Sequence, residues 1–128
     1  MPENALQRLN IERRLALAKQ VLVVLSNAVD GTDDEFNRWY TGTHLREVLK
    51  LDGYVAAQRF KLSDGQLGQG DVPYRYFALY EVDTDDPADP ARALSAGIRS
   101  MDMSPTLDLG RTVAWFYTPV TERVEATG

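Results

Sequence analysis

The sequence contains a single histidine, His44, within a segment rich in aromatic residues. Phe36, Trp39 and Tyr40 precede it and Val48 follows it. Histidine is the side chain whose ordinary pKa lets it take up and release protons near neutral pH. An imidazole among apolar rings could act as a general base or acid, so His44 is the first candidate catalytic residue.

The spacing of this segment is typical of a helix with one buried side. Phe36, Tyr40, His44 and Val48 recur at intervals of four residues, which places them on the same side. We expect that side to face a sheet, where loss of solvent lowers the pKa of His44 and keeps the imidazole neutral. Tyr40 is the second candidate catalytic residue, because its hydroxyl could share a ligand or a proton with the imidazole. The alternative is that both side chains only pack and form ordinary hydrogen bonds.

Candidate substrate-binding residues are expected from the same helix, from three strands and from a late loop. Gln58 or Arg59 is the nearest polar group on the second strand, and Met101 could belong to an apolar lid. In a simpler interpretation Arg59 pairs with Glu81 at the sheet surface. The predicted substrate-binding residues are Phe36, Trp39, Val48, Gln58, Tyr76, Tyr80, Met101 and Trp115.

The elements that must position these residues follow from apolar patterns and turn residues. A β-branched run predicts a central strand, and an acidic cluster after Gly31 predicts the start of a helix that ends before Gly53. Aromatic and aliphatic runs separated by a glycine-rich loop predict an antiparallel pair of strands. An aspartate- and proline-rich segment predicts the start of a second helix, which a final strand follows. The predicted ranges are strands 20–27, 54–62, 74–82 and 111–118, and helices 33–51 and 91–100.

The resulting order is β-α-β-β-α-β, which predicts an α+β, ferredoxin-like fold with both helices on one face of a four-stranded antiparallel sheet. We place this domain at residues 20–120, between a helical arm at 1–19 and a polar tail at 121–128. Strand alternation predicts that Tyr54, Ala56 and Phe60 share one face. Since two helices cover only one face, an apolar second face predicts a homodimer that pairs sheet to sheet.

Composition restricts the classes of function. There are 19 acidic and 14 basic residues and no run of Lys or Arg, so nucleic acid is not an expected partner. The absence of cysteine and the single histidine exclude thiolate chemistry and cysteine- or histidine-rich metal sites, and we expect no metal and no cofactor. No apolar stretch is long enough to cross a membrane and no secretory signal is visible, so a cytoplasmic location is expected.

The residues also resemble a known family. The order of elements, the run from Asp34 to Tyr40, the step Thr43-His44-Leu45 and the pair Gly53-Tyr54 resemble the EthD-like branch of the dimeric α+β barrel superfamily. The resemblance covers about residues 21–120. It implies dimers whose two sheets build one barrel, with a ligand pocket in each subunit between sheet and helices. It also implies activities such as cofactor-independent monooxygenation, polyketide cyclisation, lactone isomerisation and lyase or dehydratase reactions.

Together, residues and resemblance predict a small cofactor-independent enzyme of the isomerase, cyclase or lyase (dehydratase) type. It would act by proton transfer on an apolar, oxygenated, aromatic or polycyclic metabolite, with His44 moving the proton and Tyr40 assisting. A cofactor-free monooxygenase and a non-catalytic dimer that binds a small molecule are the alternatives. A third is a structural dimer whose helix–sheet space is filled by side chains, among them Phe36, Trp39, Phe77 and Trp115.

Overall fold

A computed structural model describes residues 4–8 and 20–127. Residues 4–8 are helical and exposed, and the rest of the predicted N-terminal arm lies outside the described residues. Residues 121–127, in the predicted polar tail, are exposed and contain no helix or strand. No helix in the described ranges is long and apolar enough to cross a membrane. The cytoplasmic location stays a prediction.

Four strands and two helices follow the predicted order. Helix α1 lies between the first two strands and has three parts, namely Asp33–Trp39, a π-helical turn Tyr40–His44, and Leu45–Val48. Helix α2, Asp89–Gly97, precedes the last strand and continues into a 3-10 turn, Ile98–Ser100. A second 3-10 turn, Leu109–Arg111, leads into that strand. The strands are β1 Gln20–Ser26, β2 Tyr54–Lys61, β3 Tyr76–Val82 and β4 Val113–Tyr117.

The strands form one antiparallel sheet in the order β2-β3-β1-β4. The β-branched run of β1 therefore lies inside the sheet, as predicted for a strand with two neighbours. Its residue Leu22 stands opposite Tyr80 on one side and Phe116 on the other. This topology confirms the predicted ferredoxin-like α+β fold with a four-stranded antiparallel sheet.

Strand β2 departs from simple alternation. Tyr54 pairs with Val82, but Ala56 pairs with Glu81, so the register shifts between them. Such a bulge adds one residue and exchanges the faces of everything beyond it. The prediction that Tyr54, Ala56 and Phe60 share a face is therefore wrong, because Tyr54 faces the helices and the other two face away.

The core lies between the sheet and α1. Side chains of α1 pack on the helix-facing residues of β1 and β3. The hydroxyl of Tyr54 on β2 donates a hydrogen bond to the carbonyl of Pro90 in α2 over 2.7 Å. Gly97 allows α2 to approach the end of α1, because a Cβ there would lie 2.6 Å from Leu51 Cδ2. The fully buried members of this core include Leu22, Phe36, Tyr40, Val48, Ala78, Tyr80 and Val82.

The opposite face of the sheet is apolar, and neither α1 nor α2 packs on it. Phe60 and Phe77 stack there with ring centroids 4.4 Å apart. Trp115 and Tyr117 on β4 are 59% and 55% exposed, which is unusual for such large apolar side chains. This is the face expected to pair with a second copy, and the homodimer stays a prediction.

Candidate functional site

The candidate site begins with a wide turn inside α1. The N–H of Leu45 donates to the carbonyl of Tyr40, five residues earlier, so the helix holds one more residue here than a regular turn would. π turns are rare and frequently occur at functional sites. The extra residue rotates His44 back along the helix surface, towards Trp39.

His44 is packed between aromatic rings and is 7% exposed. Its imidazole stacks on Trp39 with ring centroids 4.8 Å apart, and it meets the ring of Tyr40 edge-on at 4.9 Å. Its Nδ1 atom is buried and has no hydrogen-bond partner among the described residues. A buried polar atom left unpaired costs about 1–3 kcal/mol, so this nitrogen favours any ligand or water that can reach it.

Burial also sets the charge of His44. Loss of solvent lowers the pKa of the imidazole, the negative charge of Glu47 opposes this effect, and the positive charge of Arg59 adds to it. The lowered pKa keeps the ring neutral near neutral pH. A neutral imidazole with a free nitrogen lone pair is the form that a general base requires.

Two buried tyrosine hydroxyls meet in the core, and one of them belongs to Tyr40, whose ring contacts the imidazole. The hydroxyl of Tyr80 donates to the hydroxyl of Tyr40 over 3.3 Å. Burial raises the pKa of both groups, so both stay protonated. Because Tyr80 donates in this pair, the proton of Tyr40 remains for another acceptor, such as an oxygen on which negative charge develops.

A guanidinium from β2 completes the polar part of the site. Arg59 donates to the Asn37 Oδ1 atom and to the Thr41 Oγ1 atom, each over 2.9 Å. Asn37 in turn donates to the hydroxyl of Tyr76 over 3.3 Å, and that hydroxyl donates to the carboxylate of Asp33 over 2.7 Å. This chain of hydrogen bonds fixes the first turn of α1 against β2 and β3.

The loop after α2 is attached to α1 on both sides of His44. The indole N–H of Trp39 donates to the carbonyl of Asp102 over 2.6 Å. The backbone N–H of Asp102 donates to the Glu47 carboxylate at 3.0 Å and 3.2 Å from its two oxygens. Met101, the predicted lid residue, packs against the core. The loop therefore lies where it could cover the imidazole.

The structure brings eight of the ten predicted site residues to the helix side of the sheet. Gln58 and Trp115 are the exceptions, since they pair with Leu79 and Val23 on the face away from the helices. Gln58 faces away from the helices because the bulge in β2 exchanges the faces of the residues that follow it. Trp115 faces away because alternation along β4 turns its neighbour Phe116 towards the helices. The eight that share one side are Phe36, Trp39, Tyr40, His44, Val48, Tyr76, Tyr80 and Met101.

Arg59 is the main residue of the candidate site that the sequence analysis left out of the predicted substrate-binding residues. It was named there only as the alternative to Gln58. The suggested surface pair with Glu81 is not formed, because the bulge puts Arg59 on the helix side. Asn37, Asp33 and Glu47 were also missed. The sequence predicted that these residues lie in α1, but it did not predict their hydrogen-bond partners, which are far away in the sequence.

Two cavities of the described structure lie away from His44. One, of about 490 Å³, runs along the hairpin of β2 and β3 beside Phe60, Tyr74 and Phe77. The other, of about 410 Å³, lies on the outer side of α2 beside Arg92 and Arg99. Trp39 and Tyr40 pack directly against the imidazole, and the loop after α2 is bonded to α1 on both sides of it, so a ligand that reaches His44 would have to displace part of that loop.

The helix side of the sheet is nevertheless not covered everywhere. On β4 the helix-facing residue Ala114 is exposed and Phe116 is partly exposed, and Val24 opposite Ala114 is also partly exposed. No group of three or more metal-binding side chains occurs within the residues described, so the site offers no metal centre of that kind.

Comparisons with solved structures show the fold. An EthD family protein from Bacillus halodurans C-125 superposes with a TM-score of 0.56 at 14% identity, over 80% of this chain and 99% of that one. HapK from Hahella chejuensis gives 0.55 at 15% identity, over 85% and 99%. The heme-degrader MhuD from Mycobacterium tuberculosis, with two hemes bound in its active site, gives 0.55 at 14% identity, over 82% and 99%.

The sequence itself matches no protein-family profile and no curated protein. At identities this low, the structural likeness shows the fold alone. It confirms the fold that the resemblance to the EthD-like branch implied.

Proposed function

We propose that this protein is a small enzyme that moves a proton on an apolar, oxygenated metabolite, with His44 as the base and no cofactor. The observation that carries the proposal is the buried, unpaired Nδ1 atom of His44. Protein interiors rarely leave such an atom without a partner, and a catalytic role is one of the reasons for which they do. The EthD and MhuD structures support the choice of class, since MhuD acts on a small molecule with the same fold.

The chemistry needs a base and a hydrogen-bond donor for the substrate oxygen, and His44 and Tyr40 are the groups proposed for these two roles. The lone pair of His44 takes a proton from a carbon next to a carbonyl, and the electron pair of that C–H bond moves to the carbonyl oxygen. Tyr40, held by Tyr80, donates a hydrogen bond to the resulting enolate oxygen. The imidazolium then returns its proton to another carbon, giving an isomer, or to a departing hydroxyl, giving water and an alkene.

A substrate can reach His44 only if the loop after α2 moves. Its attachments to Trp39 and Glu47 are two short polar contacts near the surface. Such contacts open at low cost compared with the core, and lids of this kind commonly exclude water from a reaction. We propose that Met101 and its neighbours move to admit the substrate and then close over His44.

The test uses whatever small molecule copurifies with the protein, identified by mass spectrometry after denaturation. The compound is incubated with the wild type, with His44→Gln, and with Arg46→Gln as a control on the exposed side of α1. We expect a product of unchanged or water-depleted mass, formed about 10²- to 10⁴-fold more slowly by His44→Gln. Oxygen uptake would instead identify a monooxygenase, and a bound compound that is never converted would identify a binding protein.

We also propose that two copies associate through the open sheet face. This is the pairing that the resemblance to dimeric α+β barrels implies, and the exposed rings of β4 support it.

A further inference from the structure

Arg59 carries a charge for which the described residues offer no carboxylate partner. Arg92 and Arg111, in contrast, form ion pairs with aspartates at the surface. Arg59 is partly buried, and its two side-chain hydrogen bonds go to an amide and a hydroxyl. A charge withdrawn from water without a counter-ion is costly, so its retention calls for an explanation.

The rings around Arg59 stabilise the cation without neutralising it. The guanidinium carbon lies 4.5 Å from the ring centroid of Tyr40, 5.4 Å from that of Phe36 and 5.6 Å from that of Tyr76. Cation–π contacts hold the side chain in place and leave its hydrogen-bonding edge usable. A guanidinium has five N–H donors, and two of those on Arg59 meet acceptors in the described residues.

We propose that Arg59 is an anion-binding residue that holds the carboxylate of a small organic ligand at the seam between α1 and β2. The free donors of a guanidinium match a carboxylate in a two-point contact. The exposed hydroxyl of Thr41, already bonded to Arg59, borders the same seam. The proposal does not depend on proton transfer at His44.

A single negative charge fits this place better than a phosphate dianion does. Asp33 is linked to Arg59 through Tyr76 and Asn37, so one carboxylate already stands nearby. The whole chain has a formal net charge of -5. A second charge on the ligand would gain little from one arginine and would be repelled by Asp33.

The competing explanation is that Arg59 serves only to join α1 to β2. In that case its removal weakens the fold but creates no difference between a charged ligand and a neutral one. A comparison of benzoate with benzamide separates the two roles, because the pair has nearly the same shape and differs in charge.

The experiment titrates the protein with benzoate and with benzamide at pH 7 and low salt, following the Nε–Hε resonance of Arg59 by NMR. We expect benzoate to shift this resonance and to bind about tenfold more tightly than benzamide. Arg59→Gln should bring the two affinities together, whereas Arg46→Gln should leave the preference intact. Arg59→Lys keeps the charge without the two-point contact and should retain a smaller preference.

Three results would overturn the proposal: equal binding of the two compounds by the wild type, no binding of benzoate, or a preference that survives in Arg59→Gln. If Arg59→Gln fails to fold, the wild-type comparison and Arg59→Lys still decide. His44→Gln should keep the benzoate preference, so a failure of the proton-transfer proposal is distinguishable from a failure of this one.

Discussion

In the candidate site the imidazole of His44 and the hydroxyls of Tyr40 and Tyr80 are uncharged at rest, and in the proposed reaction charge would develop on the imidazole only transiently. Burial keeps the imidazole neutral and the hydroxyls of Tyr40 and Tyr80 protonated. A base and a hydrogen-bond donor are then available together at neutral pH, because neither is occupied by an ion pair. Glu47 and Arg59 act on the imidazole in opposite directions, so burial decides the balance.

The titration of His44 is directly measurable, because the chain has one histidine. We expect its ring C–H resonance to titrate with a pKa below the ordinary value of about 6.5, since burial disfavours the charged form. kcat/KM should rise with pH through that lowered pKa and then level off. A pKa at or above 6.5 would show that the ring is solvated or paired with a carboxylate.

The same shift predicts how stability depends on pH. The unfolded chain takes up a proton at His44 at a higher pH than the folded chain does, so falling pH favours unfolding. This contribution is present above about pH 6.5 and is lost as pH falls towards the folded pKa. Chemical denaturation of the wild type and of His44→Gln at several pH values isolates it. The difference between their unfolding free energies should change in that window, and a constant difference would contradict the prediction.

Tyr80→Phe tests the support of the Tyr40 hydroxyl. The variant removes one buried hydrogen bond, so we expect a loss of about 0.5–1.5 kcal/mol in unfolding free energy. Turnover should fall because Tyr40 is no longer held towards the ligand, with KM changed less than kcat. Tyr54→Phe is the matched control, since that hydroxyl bonds to Pro90 at α2 instead. Equal effects of both variants on kcat would assign Tyr80 a structural role.

At the scale of elements, two single-residue insertions determine which side chains enter the site. The π turn of α1 rotates His44 onto Trp39, and the bulge of β2 turns Arg59 inwards in place of Gln58. Both cost regular hydrogen bonds, and both lie next to the candidate site.

Deletion of Gly42 tests the role of the π turn. Removing one residue should restore regular α-helical bonding, so we expect a folded protein with a similar melting temperature. His44 then lies four residues after Trp39, which keeps the two rings neighbours on a regular helix, so any loss of turnover measures what the wide turn itself contributes. Gly42→Ala is the control, because a Cβ there meets no atom within 4 Å. Full activity in the deletion variant would show that the turn has no functional part.

The periodic signals in the sequence predicted the elements, their order and the buried side of α1. Phe36, Tyr40, His44 and Val48 are all buried, as their spacing indicated. The π turn could not be predicted, because the same spacing fits a regular α-helix. The bulge could not be predicted either, since Tyr54 to Phe60 alternates acceptably in both registers, and Gln58 was assigned to the wrong side for that reason.

In the part of the molecule that the structure describes, the sheet has one face covered by α1 and one apolar face on which neither helix packs. The proposed dimer would bury the open face, including the stacked pair Phe60 and Phe77. Trp115→Glu places a charge in the middle of it and should convert dimers to monomers in sedimentation velocity, with the helical signal of circular dichroism unchanged. Leu109→Glu, at an exposed residue outside the sheet, should leave the mass of the wild type unaltered. A wild type that sediments as a monomer would contradict the dimer.

If His44 removes a proton from carbon, hydrogen–deuterium exchange measures that step without a complete reaction. The protein is incubated in D₂O with an aryl methyl ketone such as 2-acetylnaphthalene, and NMR follows deuterium entering the methyl group. We expect the wild type to accelerate this exchange and His44→Gln to slow it about 10²- to 10⁴-fold, while Arg46→Gln does not. Equal exchange rates with the wild type and with His44→Gln would contradict it.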